Sequence, residues 1–242
     1  MAAALRSGRA EALAVARGAQ RLESVLALAA RCGLGAEEIS RQDLVDRAGE
    51  EAQGCAVLVS PLVPVEISRV LDKPAAQDAG DGRPAGRLIL ACDHVQDPRN
   101  LGAIARTLDA VAGAALIFPD RRSVSVTPAV ERTAAGAFET LPWAAVPNLV
   151  QTLGRCRAAG YWIFGAVPDG DPLSAGVDWA PRSVLVVGAE GRGISALVRR
   201  SCDRLVALPM RGSVESLNAA VAAGILLYDW VRWDTSRRAS PH

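Results

Sequence analysis

The second two-thirds of the chain alternates short, continuous apolar runs with longer segments in which apolar residues recur every three or four positions. The runs predict strands that are buried on both faces, and the longer segments predict helices. The predicted strands are 87–92, 115–119, 161–167, 183–188 and 204–208, and the predicted helices are 101–112, 128–135, 148–159, 194–200 and 217–233. This alternation predicts an α/β domain in which helices cover both faces of a parallel sheet.

A smaller domain is predicted ahead of this one. Residues 11–32 have a helical pattern, and 55–62 together with 63–67 have the composition of strands. The segment 72–87 holds no large apolar residue and is dense in Pro, Gly and Asp, which is typical of a linker. We therefore expect a small domain at 1–71, a linker at 72–87 and the larger domain at 88–242.

The composition indicates a globular protein. Half of the 242 residues are hydrophobic, which is ample for a buried core. The longest apolar run, 219–228, is shorter than the roughly 20 residues that a membrane span requires, and the first residues lack the apolar segment of a secretory signal. We expect a cytoplasmic protein that does not associate with a membrane.

The cysteine pattern argues against a metal site and a disulfide scaffold, and the net charge says little about partners. The five cysteines stand singly without a C-x-x-C pair, and the chain has two histidines, so neither a zinc site nor a disulfide scaffold is expected. The net charge of +1 gives little indication of a polyanionic partner. Any nucleic-acid contact would be local, with the arginine pairs 121–122, 155 with 157 and 199–200 as candidates. Taken singly, each pair is better explained as a solvated surface.

Three segments combine polar residues and glycines directly after a predicted strand. They are Asp93-His-Val-Gln-Asp-Pro-Arg-Asn-Leu-Gly-Ala-Ile-Ala-Arg106, Gly188-Ala-Glu-Gly-Arg-Gly-Ile-Ser195 and Leu208-Pro-Met-Arg-Gly-Ser-Val-Glu-Ser-Leu-Asn218. Ligands of α/β proteins bind outside the carboxyl ends of the strands, where helix N-termini also present free N–H groups. A ligand site is therefore predicted at this edge of the sheet, with Ser216 as the expected N-cap of a helix that starts at Leu217.

Two of these segments also have simpler explanations. Asn100 and Arg106 fit a capping asparagine and an arginine that extends from an amphipathic helix as well as they fit a catalytic pair. Residues 191–196 satisfy the G-x-G-x-x-A pattern of dinucleotide-binding proteins. That pattern belongs in the first strand–helix unit of such a fold, however, and too few residues follow it here to complete one.

Taken together, the three segments resemble motifs 1, 2 and 3 of the SpoU (TrmH-type) RNA ribose 2′-O-methyltransferases of the SPOUT superfamily. The resemblance covers residues 87–233 well and 28–70 loosely. It implies a SPOUT-type parallel sheet with a C-terminal deep trefoil knot, preceded by a small α+β RNA-binding domain. The usual first strand of that small domain, with its Gly-x-His, is not found in this sequence, so we expect the domain to be incomplete.

The resemblance also implies the site residues. S-adenosylmethionine would bind against the backbone, and the implied positions are Gly188, Gly191, Gly193, Leu208, Met210 and Leu217. Reaction-site side chains would be Asn100, Arg106, Glu190, Ser216 and Asn218. In the family, the arginine that matches Arg106 is held to activate the ribose hydroxyl, and the asparagine that matches Asn100 orients it. No metal is implied.

The expected activity is S-adenosylmethionine-dependent 2′-O-methylation of a ribose in RNA, most similar to enzymes that modify a guanosine of 23S rRNA. The alternatives are methylation of a transfer RNA ribose, resistance-type methylation of a different ribosomal RNA site, and a catalytically inactive RNA-binding or ribosome-assembly protein of the same fold. The resemblance further implies a homodimer whose active sites draw residues from both protomers. We expect Leu226, Leu227 and Trp230 of the last helix to extend beyond a single buried face and form part of that interface.

Overall fold

The chain divides into two units, Met1–Val63 and Pro64–His242, in a computed structural model that describes residues 1–50, 52–72 and 86–239. The division falls ahead of the boundary expected after residue 71. The reason is that Ile67, Val70 and Leu71 are buried in the core of the second unit. Most of the expected linker at 72–87 lies outside the described residues, since 73–85 are not described.

The first unit is a small α+β structure. Its elements are α1 (Ala2–Ser7), β1 (Ala10–Ala16), α2 (Glu23–Arg31), β2 (Ala36–Ile39), α3 (Arg41–Ala48) and β3 (Cys55–Val59). The strand order is β2-β1-β3, with β2 parallel and β3 antiparallel to β1. The helix predicted over 11–32 is wrong in its first half, because Leu13 and Val15 are buried at the two-residue spacing of a strand. The strand predicted at 55–62 ends at Val59, and none forms over 63–67.

The second unit alternates strands and helices as predicted. Its elements are α4 (Ile67–Leu71), β4 (Arg87–Asp93), α5 (Pro98–Ala110), β5 (Ala115–Pro119), α6 (Pro128–Ala134), β6 (Trp143–Val146), α7 (Leu149–Ala158), β7 (Trp162–Pro172), β8 (Arg182–Gly188), α8 (Ala196–Arg200), β9 (Arg204–Ala207) and α9 (Ala219–Ala239). The sheet has the order β6-β5-β4-β8-β7-β9, and every pairing is parallel. The α/β prediction is confirmed.

The core of this unit lies on both faces of the sheet. All residues of β4 and β5 are buried, as the continuous apolar runs predicted. The sequence did not predict β6, which is a short edge strand beside β5; its Trp143 stacks on Phe118 with ring centroids 5.6 Å apart. A frame buried on both faces holds the strand ends in fixed positions, and the functional segments begin at those ends.

The last helix, α9, has 21 residues and starts two residues later than predicted. Trp230 Nε1 donates to the carbonyl of Ala180 at 3.3 Å, and Trp179 Nε1 donates to Asp229 at 2.9 Å. Over the ranges that the structure describes, no helix combines the length and apolarity needed to cross a membrane.

The expected exposure of three residues on α9 is wrong. Leu226, Leu227 and Trp230 are buried within the chain, on the face that packs against the sheet and α5. The exposed apolar residues of α9 are instead Val221, Ile225 and Tyr228. Their spacing of four and three residues places them along one stripe of the helix.

Two glycines in helices provide a test of the packing. A Cβ on Gly102 of α5 would lie 2.6 Å from Thr133 Cβ and 2.8 Å from the Val130 carbonyl oxygen of α6. We expect Gly102→Ala to lower the free energy of unfolding by about 1–3 kcal/mol through overpacking. Gly154→Ala on α7 has open space and should raise it by about 0.5–1 kcal/mol. Urea unfolding followed by circular dichroism measures both, and equal effects would refute the close approach of α5 to α6.

Candidate active site

The candidate site lies at the carboxyl edge of the sheet in the second unit. Asp93 ends β4 and Gly188 ends β8, and the two are partners in the parallel register of these central strands. The third functional segment follows β9, with β7 between it and β8. The three sequence motifs are thus brought to one edge, as the parallel sheet predicted.

The segment after β8 forms a tight turn with open backbone. The Gly193 N–H donates to the Ala189 carbonyl at 2.8 Å, and a Cβ on Gly188 would lie 2.0 Å from the Gly193 carbonyl carbon. Gly191 and Gly193 have φ of 73° and 63°, and no atom lies within 4 Å of where their Cβ would be. Glycine is required at Gly188 by space and favoured at the other two by their left-handed conformation. The resulting turn exposes polar backbone that a flat adenosine-like ligand could approach closely.

The third segment carries the other expected cofactor positions. Leu208 and Leu217 are half-buried at its two ends, and Met210 is 37% exposed. Apolar side chains beside exposed backbone provide surface for an adenosine or for the methionine part of a ligand. Together with the glycine turn, this segment offers both apolar surface and open backbone to a ligand.

Asn218 rather than Ser216 caps the last helix. The Asn218 Oδ1 accepts from the N–H groups of Ala220 at 3.0 Å and Val221 at 3.3 Å. The N-cap expected at Ser216 is therefore wrong, and Ser216 is exposed in the preceding loop. Because Asn and Ser are equally good N-caps, the sequence alone could not choose between them.

Three of the expected reaction-site residues form one hydrogen-bonded network. Asn218 Nδ2 donates to Asn100 Oδ1 at 2.9 Å and to Glu190 Oε1 at 2.5 Å. The same Glu190 oxygen accepts from Asn100 Nδ2 at 2.9 Å and from the Ala219 N–H at 3.4 Å. Each amide thus has a defined orientation, and the network joins the glycine turn to the first turns of α5 and α9.

This network has a clear electrostatic basis. A helix N-terminus carries partial positive charge, and both α5 and α9 begin at the network. The negative charge of Glu190 therefore interacts favourably with both helix N-termini. Since its Oε1 already accepts several hydrogen bonds, the geometry suits Glu190 for holding the two asparagines in place.

Arg106 stands apart from the network. It lies six positions after Asn100 on α5, which corresponds to about 9 Å along the helix axis and about a third of a turn around it. Asn100 is buried, whereas Arg106 is exposed and has no hydrogen bond or ion pair to any residue in the described ranges. Its guanidinium is thus available to an external anion.

Sequence reasoning missed Asp93. Its side chain is buried, and Oδ2 accepts from the Ser195 N–H while Oδ1 lies against His94 Nδ1, both at 2.6 Å. Its sequence signal is weak, because an aspartate that directly follows a continuous apolar run is common. Burying a carboxylate costs free energy unless the carboxylate is paired. The buried position of Asp93 therefore depends on its contacts with Ser195 and His94.

The cysteines near this edge are not suited to nucleophilic catalysis. Burial raises the pKa of the Cys92 thiol, and it raises the pKa of Cys202 to about 12. Such thiols carry almost no thiolate at neutral pH. Among the residues that the structure describes, no group of three His, Cys, Asp or Glu side chains is placed to hold a metal ion.

Comparison with known proteins identifies relatives across most of the chain. Residues 87–228 match the model of the SpoU rRNA methylase family. An uncharacterised tRNA/rRNA methyltransferase of Mycolicibacterium vanbaalenii is 42% identical over 234 residues, which cover 94% of this chain and 72% of that protein. The 23S rRNA (guanosine-2′-O-)-methyltransferase RlmB of Pseudomonas putida is 37% identical over 220 residues, covering 91% of this chain and 86% of that one.

A solved structure agrees with these relatives. The SpoU methyltransferase AviRb from Streptomyces viridochromogenes, determined in complex with its cofactor AdoMet, superimposes with a TM-score of 0.72. It is 29% identical, and the match covers 97% of this chain and 87% of AviRb. On the family match and on the extent of these similarities, the chain belongs to the SpoU rRNA methylase family.

Proposed function

We propose that the protein transfers a methyl group from S-adenosylmethionine to the ribose 2′-hydroxyl of a guanosine in 23S rRNA. The class of reaction, S-adenosylmethionine-dependent ribose methylation of ribosomal RNA, follows from the family and its relatives. The choice of a 23S guanosine is supported by the similarity to the Pseudomonas putida enzyme. The observation that carries the proposal is the open glycine turn next to the Glu190–Asn100–Asn218 network.

The cofactor residues are assigned to the glycine turn and the segment after β9. We assign Gly188, Gly191, Gly193, Leu208, Met210 and Leu217 to this role. Their exposed backbone and apolar side chains support the assignment. The bound cofactor supplies a methyl group that is already activated on a sulfonium. The protein must therefore align a ribose hydroxyl with that group and provide a path for one proton.

Arg106 is the candidate for activating the hydroxyl. A guanidinium keeps its proton at neutral pH, so it is a poor general base but a good bidentate ligand for phosphate. Its exposure and its lack of partners in the described residues support a contact with the RNA backbone. In this role Arg106 orients the phosphate beside the reacting ribose, and the proton leaves to a phosphate oxygen or to water. Ser216 and Asn218 line the reaction site.

Homodimerisation is the second part of the proposal. Arg106 and the network are separated within a protomer, and a two-fold interface could bring an arginine of one protomer to the site of its partner. The exposed stripe Val221, Ile225 and Tyr228 on α9 is a suitable interface, because an apolar stripe next to a functional edge is costly to leave in water. We place the enzyme in the cytoplasm and retain the family's trefoil knot.

Selection of the RNA is assigned to the first unit. None of the proposed cofactor or reaction-site residues lies in Met1–Val63. Arg17 and Arg21 are exposed there, and Arg41 lines a cleft between the ends of β1 and β3. Because acidic residues offset these arginines, recognition would depend on RNA shape and a few phosphate contacts.

The alternative of an inactive RNA-binding protein is opposed by the site itself. A binding module has no need for an intact network of Asn100, Glu190 and Asn218 at an open glycine turn. Isothermal titration with S-adenosylmethionine separates the two cases, since a protein without turnover has no requirement for the cofactor. Mapping 2′-O-methylation across all RNA of a deletion strain and its parent would distinguish ribosomal from transfer RNA.

The first prediction concerns Arg106. We expect Arg106→Ala to lower the rate of methyl transfer by at least about a hundredfold, the usual contribution of a group that assists proton transfer. Binding of S-adenosylmethionine should remain within a few-fold, because the proposed cofactor contacts lie elsewhere. Arg132→Ala, which removes an exposed arginine on α6, is the control. Near-normal turnover of Arg106→Ala would exclude this arginine from the mechanism.

The second prediction concerns the oligomer. Sedimentation at micromolar concentration should give about twice the chain mass, since an apolar stripe of this kind is buried in stable dimers. Ile225→Glu should produce monomers with strongly reduced activity. Leu58→Glu places the same charge on a residue that is 62% exposed on the first unit and should leave the dimer intact. A wild-type monomer that is fully active would refute the shared site.

The third prediction separates binding of the cofactor from selection of the RNA. A chain that begins at Pro64 retains the buried residues of α4 and should bind S-adenosylmethionine almost normally. It should lose most kcat/KM on ribosomal RNA, because the proposed RNA-selecting unit is gone. If the shortened chain methylates its native RNA at the full rate, selection resides in the catalytic unit.

A further inference from the structure

The buried carboxylate of Asp93 fastens the glycine turn to the sheet. Asp93 is 1% exposed at the end of β4, directly beside Gly188 in the register of β4 and β8. Its Oδ2 accepts from the Ser195 N–H at 2.6 Å. Ser195 is the N-cap of α8 and stands two residues after Gly193, so this bond fixes the point at which the chain leaves the turn.

Besides this bond, the turn is restrained by the hydrogen bonds of Glu190, by burial of the Ile194 side chain and by its own backbone. Its own backbone supplies the Gly193–Ala189 hydrogen bond, and two of its residues are glycines with positive φ. The Ser195 side chain makes no capping bond to α8, which is short. Glycine-rich backbone loses much conformational entropy on ordering, so an anchor at the exit of the turn adds to the Glu190 network in holding the turn in its binding geometry.

The hydrogen bond between Asp93 and the Ser195 N–H belongs to a strong class. A hydrogen bond from a backbone N–H to a carboxylate is about twice as strong as one between neutral groups. The second oxygen of Asp93 is held by His94 Nδ1 at 2.6 Å, which fixes the orientation of the carboxylate toward Ser195. Burial excludes water as a competing donor.

We propose that Asp93 is a positioning residue for the cofactor, acting through the Ser195 N–H to hold the 188–193 turn in its binding conformation. The inference rests on the assignment of that turn to S-adenosylmethionine under the proposed function. Asp93 acts on cofactor affinity and takes no part in the transfer of the methyl group or the proton.

The test compares two substitutions at this position in the full-length chain. Asp93→Ala removes the acceptor and should raise the Kd for S-adenosylmethionine by about ten- to a hundredfold, while kcat at saturating cofactor stays within a few-fold. Asp93→Asn keeps an amide oxygen for the Ser195 N–H and should restore most of the affinity. Asp120→Ala is the matched control, because Asp120 is an exposed aspartate that follows the neighbouring strand β5. Titration calorimetry gives Kd, and steady-state assays separate KM from kcat.

The outcomes separate this inference from the proposed function. Gly188→Ala forces the turn apart and reports whether the turn binds the cofactor at all. If Gly188→Ala weakens binding and Asp93→Ala does not, the positioning role is refuted and the cofactor site stands. If neither weakens binding, both are refuted. A loss of kcat in Asp93→Ala at unchanged Kd also overturns the proposal. If the alanine variant does not fold, Asp93→Asn takes its place in the test. A wild-type Kd and a wild-type KM for Asp93→Asn, together with a reduced kcat, would then refute the positioning role.

Discussion

Parallel pairing of the strands in the second unit is the constraint on which the candidate site depends. Since every strand runs in the same direction, each loop that follows a strand emerges at the same edge. Segments that begin at Asp93, Gly188 and Leu208 are far apart in the chain and meet there. The buried central strands fix the spacing of these loops, so that short side chains can bridge them. The Glu190 network and the Asp93 anchor are two such bridges, and each is centred on a carboxylate.

Much of the fold of the second unit could be predicted from the sequence, because continuous apolar runs have few alternatives in a chain of this length. Where prediction failed, local pattern and tertiary environment disagreed. The edge strand β6 is too short to produce a run, and it is a strand because β5 offers it a partner. Residues 11–32 contain apolar residues at spacings that fit a helix, yet Leu13 and Val15 are buried as strand neighbours. Pairing across the sheet of the first unit decides that assignment.

The sequence predicted which residues gather at the site, but not the hydrogen bonds that they form with one another. Motifs placed Asn100, Glu190 and Asn218 at one edge, and the structure adds that they bond to one another. Capping by Asn218 depends on where α9 starts, and the local sequence offers Ser216 and Asn218 as equally good caps. Asp93 escaped notice because a lone aspartate after a strand is common. Its significance comes from burial and from the Ser195 N–H, two properties that no sequence pattern contains.

The anchoring of α9 has a consequence for how the site opens. At one end, Asn218 binds both the helix and the network; further along, Trp230 and the Trp179–Asp229 pair tie the helix to the segment before β8. Fraying that begins at the C-terminus is therefore arrested before it reaches the site, and the capped end opens only if the network itself breaks. Opening of the site thus requires breaking the hydrogen bonds of the network, whereas the mostly exposed loop between β9 and α9 can move without breaking them.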